Sequence, residues 1–469
     1  VSNRRVLLRR IPFLFLLAAT ALCAHGCEEV EQIVDERRDL TPHEAYAASL
    51  RDAGLDGTAL GRAWRSAAAE AVEAPIRIEP PFREQGWLTP ESPAAAGYRM
   101  RLERGQVLTV QVELEEAVGG ADGAPSSPTR LFVDFFRVPD DPADPLRPVQ
   151  TADSLGPGRF SYEPWRDGAY VLRIQPELLR GGRYRVTLSL DPALAFPVEG
   201  RDTRAIQSFF GAPRDGGVRD HHGVDIFAPR GTPALAAADG RVSRANETPR
   251  GGRVVWLRDA RRSQSLYYAH LDSQAVRRGQ EVRVGDTLGF VGNTGNARTT
   301  PPHLHFGIYQ RGRGPVDPMT YLRPVRRPMP ELGDAERLGS WVRNGSEGTR
   351  LRSSPGTGSP VAAELAALTP LRVLGATAEW WRVRLPDGRR GYVASRLTEP
   401  LERPVAERTA RAGDSVWAGP GPDSPVVVDL VEGTPLAVLG RFGGFDLVET
   451  TDGATARRRG WMAAASSPP

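Results

Sequence analysis

Apolar residues in this chain come in short alternating runs, each closed by glycine, proline or aspartate, and that pattern excludes long helices from most of it. The 469 residues include 50 glycines and 41 prolines, so turns recur too often for anything but short strands. Between residues 76 and 198 five runs have period two: 98–102, 107–114, 131–136, 169–174 and 184–190. Alternation of this kind puts one face of each strand into a core, and five such runs predict an all-β sandwich. The length exceeds what one core holds, which makes the chain multidomain. Residues 28–75 are the exception and read as helical. Thr41-Pro42-His43-Glu44 has capping-box form with proline at the first helical position, Gly57 breaks the run, and a second alanine-rich helix spans about 58–74. His43 is expected to be a surface residue of the first turn.

The first 27 residues have the composition of a secretory signal: Arg4, Arg5, Arg9 and Arg10 precede an apolar stretch from Ile11 to Ala24 that is short for a membrane span. Asn3 to Arg9 loosely resembles a twin-arginine signal, and Ala24-His25-Gly26-Cys27 loosely resembles a lipoprotein cleavage box. The residues leave open the export route and whether Cys27 is lipidated. The expected location is the periplasm or cell envelope, with a membrane anchor if Cys27 carries lipid. Cys23 and Cys27 are the only cysteines, so the body of the chain has no disulfide and no cysteine metal site. Any metal must be held by His, Asp or Glu.

All 61 basic residues are arginine, and the net charge is +4. Codon bias accounts for the missing lysine. A mildly basic chain suits an anionic polymer such as a cell wall. Nucleic acid is not an expected partner, because the arginines are scattered among 57 acidic residues. Nothing in the residues sets an oligomeric state.

The C-terminal part repeats itself. Residues 351–360 align with 416–425, and 369–375 with 434–440, both at an offset of 65. Arg390-Gly-Tyr-Val-Ala394 aligns with Arg459-Gly-Trp-Met-Ala463 at an offset of 69, with the four extra residues assigned to the turn after Asp452-Gly453. Two copies cannot make a solenoid and read as two small β-barrels. The Leu-Arg-x-x-Pro start, the Trp380-Trp381-Arg-Val strand and the Gly-Tyr-Val-Ala finish resemble the bacterial SH3-type domain; Phe445-Asp-Leu-Val takes the place of the tryptophan strand in the second copy. That resemblance implies wall-peptide binding or a spacer role. More weakly, 167–174 and 182–188 resemble the β-sandwich modules appended to secreted bacterial peptidases.

Five of the seven histidines fall between 221 and 305, in Asp220-His221-His222-Gly223-Val224-Asp225, Tyr267-Tyr268-Ala269-His270 and Pro302-His303-Leu304-His305. Satisfied core histidines do not account for five in one 85-residue window. If both outer segments are strands, His221 and Asp225 share a face, as do His303 and His305, while Leu304 turns into a core. Gly223 carries no side chain between the candidate ligands and leaves room for an ion. Two imidazoles and a carboxylate form the donor set of a catalytic zinc site with a fourth position for water, and further histidines can move protons. Glycan cleavage by paired carboxylates and serine catalysis have no matching motif.

The run His221-His-Gly-Val-Asp-Ile-Phe-Ala-Pro-Arg-Gly-Thr-Pro233, the strand Ala238–Val242, the glycine-rich 279–295 and His303-Leu-His-Phe306 resemble the lysostaphin/LytM-type zinc metallopeptidases over about a quarter of the chain. The resemblance implies one Zn2+ held by His221, Asp225 and His305, with His270 and His303 as the catalytic pair and His222 non-ligating. It implies an antiparallel β domain with a groove and hydrolysis of peptide cross-links or stem peptides of peptidoglycan. The alternative is a non-catalytic or autoinhibited regulator of other wall hydrolases. Arg298-Thr-Thr-Pro-Pro302 departs from the family's usual glycine or serine and puts substrate preference in doubt. The chain is thus expected to be mainly β: signal 1–27, helical segment 28–75, β-sandwich 76–198, metallopeptidase 199–325, linker 326–337, and SH3-like repeats 338–400 and 405–466.

Overall fold

A computed structural model describes residues 40–90, 92–116, 128–152, 158–421, 423–450 and 458–464. The signal segment with Cys23 and Cys27, and the turn after Asp452, lie outside the described residues. The first helix, Pro42–Asp52, starts in a complete capping box: Glu44 N donates to Thr41 Oγ1 at 3.2 Å and Thr41 N to Glu44 Oε2 at 2.8 Å. The second, Ala59–Glu73, is capped by Thr58.

His43 is not a surface residue. Only 7% exposed, it stacks on Trp64 with ring centroids 4.6 Å apart and meets Phe132 edge-on. Gln175 Nε2 donates to the Trp64 carbonyl, which turns Oε1 toward His43 at 2.8 Å, so His43 Nε2 carries the proton. The surface expectation considered the helix alone; the strands Leu131–Arg137 and Gly168–Pro176, both expected from their alternation, supply the opposite wall.

Those strands belong to a sandwich of two antiparallel layers. One is ordered Ile76–Arg77, Ala96–Leu102, Gly168–Pro176, Leu131–Arg137, Pro148–Thr151, with its first pair parallel. The other runs Phe82–Leu88, Gly182–Pro192, Gln106–Glu116, Gly158–Tyr162. All five alternating runs of the sequence are strands here. The four short or glycine-interrupted strands gave no such signal. Leu102, Leu108, Val110, Phe135, Leu172 and Val186 fill the space between the layers.

The second layer does not stop at the sandwich. Phe82–Leu88 pairs on its outer edge with Pro370–Thr377, setting Gln85 against Ala376 and Gly86 against Gly375, so that sandwich and first repeat share one 11-stranded sheet. Glu84 lies in this seam, fully buried. Its Oε1 accepts from Tyr98 Oη at 2.5 Å and Arg382 Nε at 2.9 Å, and its Oε2 from Tyr392 Oη at 2.8 Å. Arg382 Nη2 donates to Tyr184 Oη at 2.6 Å. A buried charge pair persists only when its remaining donors and acceptors are met in this way. The segment 326–337 is held along the same seam, through Arg327 on Glu79, the Gln85 amide on the Gly333 carbonyl, and a bridge between Leu332 and Thr377.

The two repeats have the same strand plan. Trp341–Asn344, Pro370–Thr377, Trp380–Arg384 and Arg390–Ala394 correspond to Ala406–Thr409, Pro435–Phe442, Phe445–Thr450 and Arg459–Ala463. Equivalent residues occupy equivalent registers: Arg382 faces Gly375 and Tyr392, and Leu447 faces Gly440 and Trp461. Residues 206–316 form a separate ten-stranded antiparallel sheet, ordered Ile206–Ser208, Val224–Phe227, His303–Gln310, Gln264–Gln274, Gly252–Asp259, Gly240–Thr248, Glu281–Val282, with three short strands paired off this path.

Two outcomes are expected. Arg382→Met strands the Glu84 carboxylate in the seam and should cost about 3–5 kcal/mol, while Glu84→Gln added to it should recover part of the loss; denaturant unfolding measures both. Equal stability of Arg382→Met and the wild type would remove the pair from any role in joining the modules. Burial, then the positive Arg173, lowers the His43 pKa to about 4, against an ordinary 6.5. The unfolded chain therefore binds the proton first as pH falls, and stability drops from about pH 6.5 down to about 4. Between pH 7 and 5 this amounts to about 2 kcal/mol. His43→Phe should lose that part of the pH dependence of melting.

Candidate active site

The site is built around the strand His303–Gln310, which lies between Val224–Phe227 and Gln264–Gln274. The antiparallel register sets Asp225 opposite His305 and Phe227 opposite His303 on one side, and Ala269 opposite His305 on the other. His303 and His305 share a face, while Leu304, Ile226 and Phe306 are fully buried. His221 arrives differently from the strand parity expected of it. It follows the short hairpin Pro213–Arg214 with Arg219–Asp220 and precedes the Asp225 strand, so the turn through Gly223 brings it back over Asp225. A Cβ on Gly223 would lie 2.4 Å from the Phe306 carbonyl oxygen and 2.9 Å from the His305 ring. The glycine thus makes room for the His305 imidazole.

Three atoms converge. His221 Nε2 and His305 Nδ1 lie 3.0 and 2.9 Å from Asp225 Oδ1, and 2.9 Å from each other. Among the described residues this is the one trio of His, Cys, Asp or Glu donors so placed. His221 Nδ1 lies 2.9 Å from the Phe209 carbonyl and 3.0 Å from Arg214 Nη2; a proton on Nδ1 donated to that carbonyl leaves Nε2 with a lone pair. Arg214 Nη2 donates to Asp225 Oδ2 at 2.7 Å, which leaves Oδ1 as the oxygen facing the imidazoles. Acceptor atoms this close repel unless a cation or proton lies among them. Two imidazole nitrogens and one carboxylate oxygen are donors that suit zinc. Burial alone would raise the Asp225 carboxyl, but hydrogen bonds with His221 and His305 hold it well below the ordinary carboxylate range.

His270 and His303 flank this trio. Their ring centroids are 5.1 Å apart, and His270 is 5.9 Å from His305. His270 Nδ1 meets the Thr294 carbonyl at 2.9 Å and His303 Nδ1 the Pro301 carbonyl at 2.8 Å, so each ring has its Nε2 left over. His303 also stacks on Phe227. His270 sits at φ 65°, a conformation unfavourable for a residue with Cβ, held by its N–H on the Gly251 carbonyl at 2.8 Å. Burial, and then the nearby His305 and His303, lower its pKa to about 4, which keeps it neutral at pH 7. His222 is exposed and gives no atom to the trio.

These groups open into a groove of about 670 Å³. Thr300, from the unusual run before His303, forms part of its rim. Trp256, Tyr267 and Tyr309 form an aromatic wall, with Trp256 4.4 Å from Tyr267 and 5.1 Å from Tyr309. The structure brings the five histidine and aspartate positions singled out in the sequence into one groove, whereas sequence reasoning gave neither this wall nor Arg214. Alternation held part of the signal: in Tyr267-Tyr268, Tyr268 is fully buried with its hydroxyl on Ala237 N, so Tyr267 must face the groove. Arg214 had none, because its contact depends on how the 213–220 hairpin folds back.

Residues 219–318 match the family model described as Peptidase family M23, and residues 347–399 the one described as Bacterial SH3 domain. A DD-carboxypeptidase/endopeptidase Mpg of Neisseria meningitidis is 40% identical over 119 residues, 25% of this chain and 26% of that protein. An L-Ala--D-Glu endopeptidase of Bacillus subtilis is 35% identical over 144 residues, 28% of this chain and 44% of that protein. The chain thus spans less than half the length of these curated relatives. Among solved structures, the catalytic domain of the peptidase lysostaphin from Staphylococcus simulans is 31% identical, with 24% of this chain and 89% of that one covered and a TM-score of 0.23.

Gly223→Ala should push the His305 ring off the trio and weaken zinc binding by about 10–100-fold. A competition titration against a chromogenic chelator reads this directly. Unchanged affinity would mean that Gly223 does not seat His305.

Proposed function

We propose that this chain, whose residues 219–318 belong to peptidase family M23, is an exported zinc-dependent endopeptidase that hydrolyses peptide bonds of bacterial peptidoglycan. The observation that carries the reading is the donor trio of His221, Asp225 and His305 with two further imidazoles beside it, each with an open Nε2. The printed names of the Neisseria and Bacillus relatives support peptides of the wall as the substrate class, and differ in the bond they name.

In this reading the trio holds one zinc ion, and Arg214 keeps Asp225 turned so that Oδ1 faces the metal. The metal supplies Lewis acidity toward the scissile carbonyl and a lowered pKa for the attacking water. His270 is neutral at pH 7 and accepts or returns a proton through Nε2. His303, fixed by Pro301 and Phe227, offers its own Nε2 to the oxygen that gains charge as the carbonyl is attacked. The aromatic wall gives an extended peptide a flat apolar surface. Residues 1–27 support export, with Cys27 the candidate for a lipid anchor.

The test is digestion of purified sacculi, with released fragments read by mass spectrometry for new amino termini. Wild type should release them, a chelator should stop it, and added zinc restore it. His305→Ala should lose both zinc and turnover. His270→Ala and His303→Ala should keep zinc and lose about 10²–10⁴-fold in rate. Sacculi left intact by folded, zinc-loaded protein would end the hydrolase reading.

A further inference from the structure

Three arginines line the groove that holds the histidines: Arg214, Arg219 and Arg250. Arg214 is engaged by Asp225, and Arg219 has a partner of its own. Arg250 is exposed and, among the described residues, makes no ion pair. Asp220, the groove carboxylate outside the trio, enters from the far side, with the strands of His305 and His270 between it and Arg250.

The backbone that carries Arg250 is pinned beside His270. The Arg250 carbonyl accepts from Asn296 N at 3.0 Å, and the next carbonyl, of Gly251, accepts from His270 N at 2.8 Å. Gly251 N donates to Thr248 Oγ1 at 3.0 Å, and a Cβ on Gly251 would run into the Tyr267 hydroxyl. Arg250 thus enters the groove next to both His270 and Tyr267. Burial raises the Tyr267 pKa, and the nearby Arg250 charge opposes that rise. The Tyr267 ring meets His305 edge-on at 5.8 Å and Trp256 at 4.4 Å, so the aromatic wall begins at the metal trio and runs out toward Arg250. An extended peptide advances about 3.5 Å per residue. With its scissile carbonyl at the trio, its residue one or two positions away lies beside Tyr267 and Arg250.

We propose that Arg250 is a specificity-determining residue, and that the groove takes wall peptides with a free carboxylate one or two residues from the scissile bond rather than neutral cross-bridges. The inference rests on the proposed peptidase function and narrows its substrate. A guanidinium matches a carboxylate with paired donors, and Arg250 has no ion pair to give up for it. Amidating that carboxylate removes the charge and keeps the shape, so the difference between acid and amide isolates the contact.

The test uses the full-length, zinc-loaded protein and two substrates: a cross-linked disaccharide-peptide dimer with free carboxylates and the same dimer with its carboxylates amidated. Wild type should cut the acid form with a kcat/KM about tenfold or more higher, the worth of one charge-assisted hydrogen bond. The preference should shrink as salt is raised. Arg250→Gln should cut the two forms at similar rates and Arg250→Glu should favour the amidated one, while both variants melt and bind zinc like wild type. Equal kcat/KM of wild type on the two forms overturns the proposal, whether or not the variants fold. A preference kept intact in Arg250→Gln overturns it as well. If wild type cuts neither form, the peptidase reading fails, and calorimetry with the same pair decides the role of Arg250. Tighter binding of the acid form that Arg250→Gln abolishes supports it, and equal affinity ends it.

Discussion

The antiparallel register that sets Asp225 against His305 is the constraint on which the rest of the site depends. Directly opposed residues on neighbouring strands present side chains to the same face. One pairing therefore brings a carboxylate and an imidazole together without any loop having to be ordered for it. The same register puts Phe227 against His303 and lets the rings stack, while the neighbouring strand on the other side delivers His270 one residue beyond Ala269. A slip of one residue would turn Leu304 outward and bury both histidines. The fully buried Leu304, Ile226 and Phe306 resist that slip, so the core that stabilises the sheet also fixes Asp225 and His305 in the trio.

Two of the site's imidazoles are placed by turns and irregular backbone rather than by strand register. His221 depends on Gly223 and on the carbonyl of Phe209, and His270 on a left-handed backbone held by Gly251 and Thr294. These are places where a local preference is overridden, and that is where functional strain tends to collect.

What could be read from the sequence follows the same division. The five sandwich strands and the histidine segments showed themselves because alternation and residue type are local properties. The strand Phe82–Leu88 did not, since Gly86 interrupts its pattern and its outer-edge partner lies nearly 300 residues away. His43 looked like a helix-surface residue because Trp64, Phe132 and Gln175, which enclose it, come from other segments. Gly223 was singled out for space around an ion; a Cβ there would meet the Phe306 carbonyl and the His305 ring, contacts that only the fold reveals. Arg214 and the wall of Trp256, Tyr267 and Tyr309 depend on tertiary contacts that no periodicity encodes.

The decay of the second repeat relative to the first has a physical cause in the seams. Gly375 admits the Glu84 carboxylate of the sandwich, since a Cβ there would come within 2.8 Å of it. The equivalent Gly440 admits Pro370 of the first repeat, at 2.6 Å from a would-be Cβ. Each repeat therefore uses the same face to pack on the module before it. In the first repeat the facing residue is a buried glutamate, so Arg382 and Tyr392 must be polar to satisfy it. In the second repeat the facing surface is apolar, and the same two positions are Leu447 and Trp461, packed with Trp341 and Leu439. Sequence drift at these sites is thus a change of partner within one unchanged strand plan. The shared packing face is consumed in both repeats.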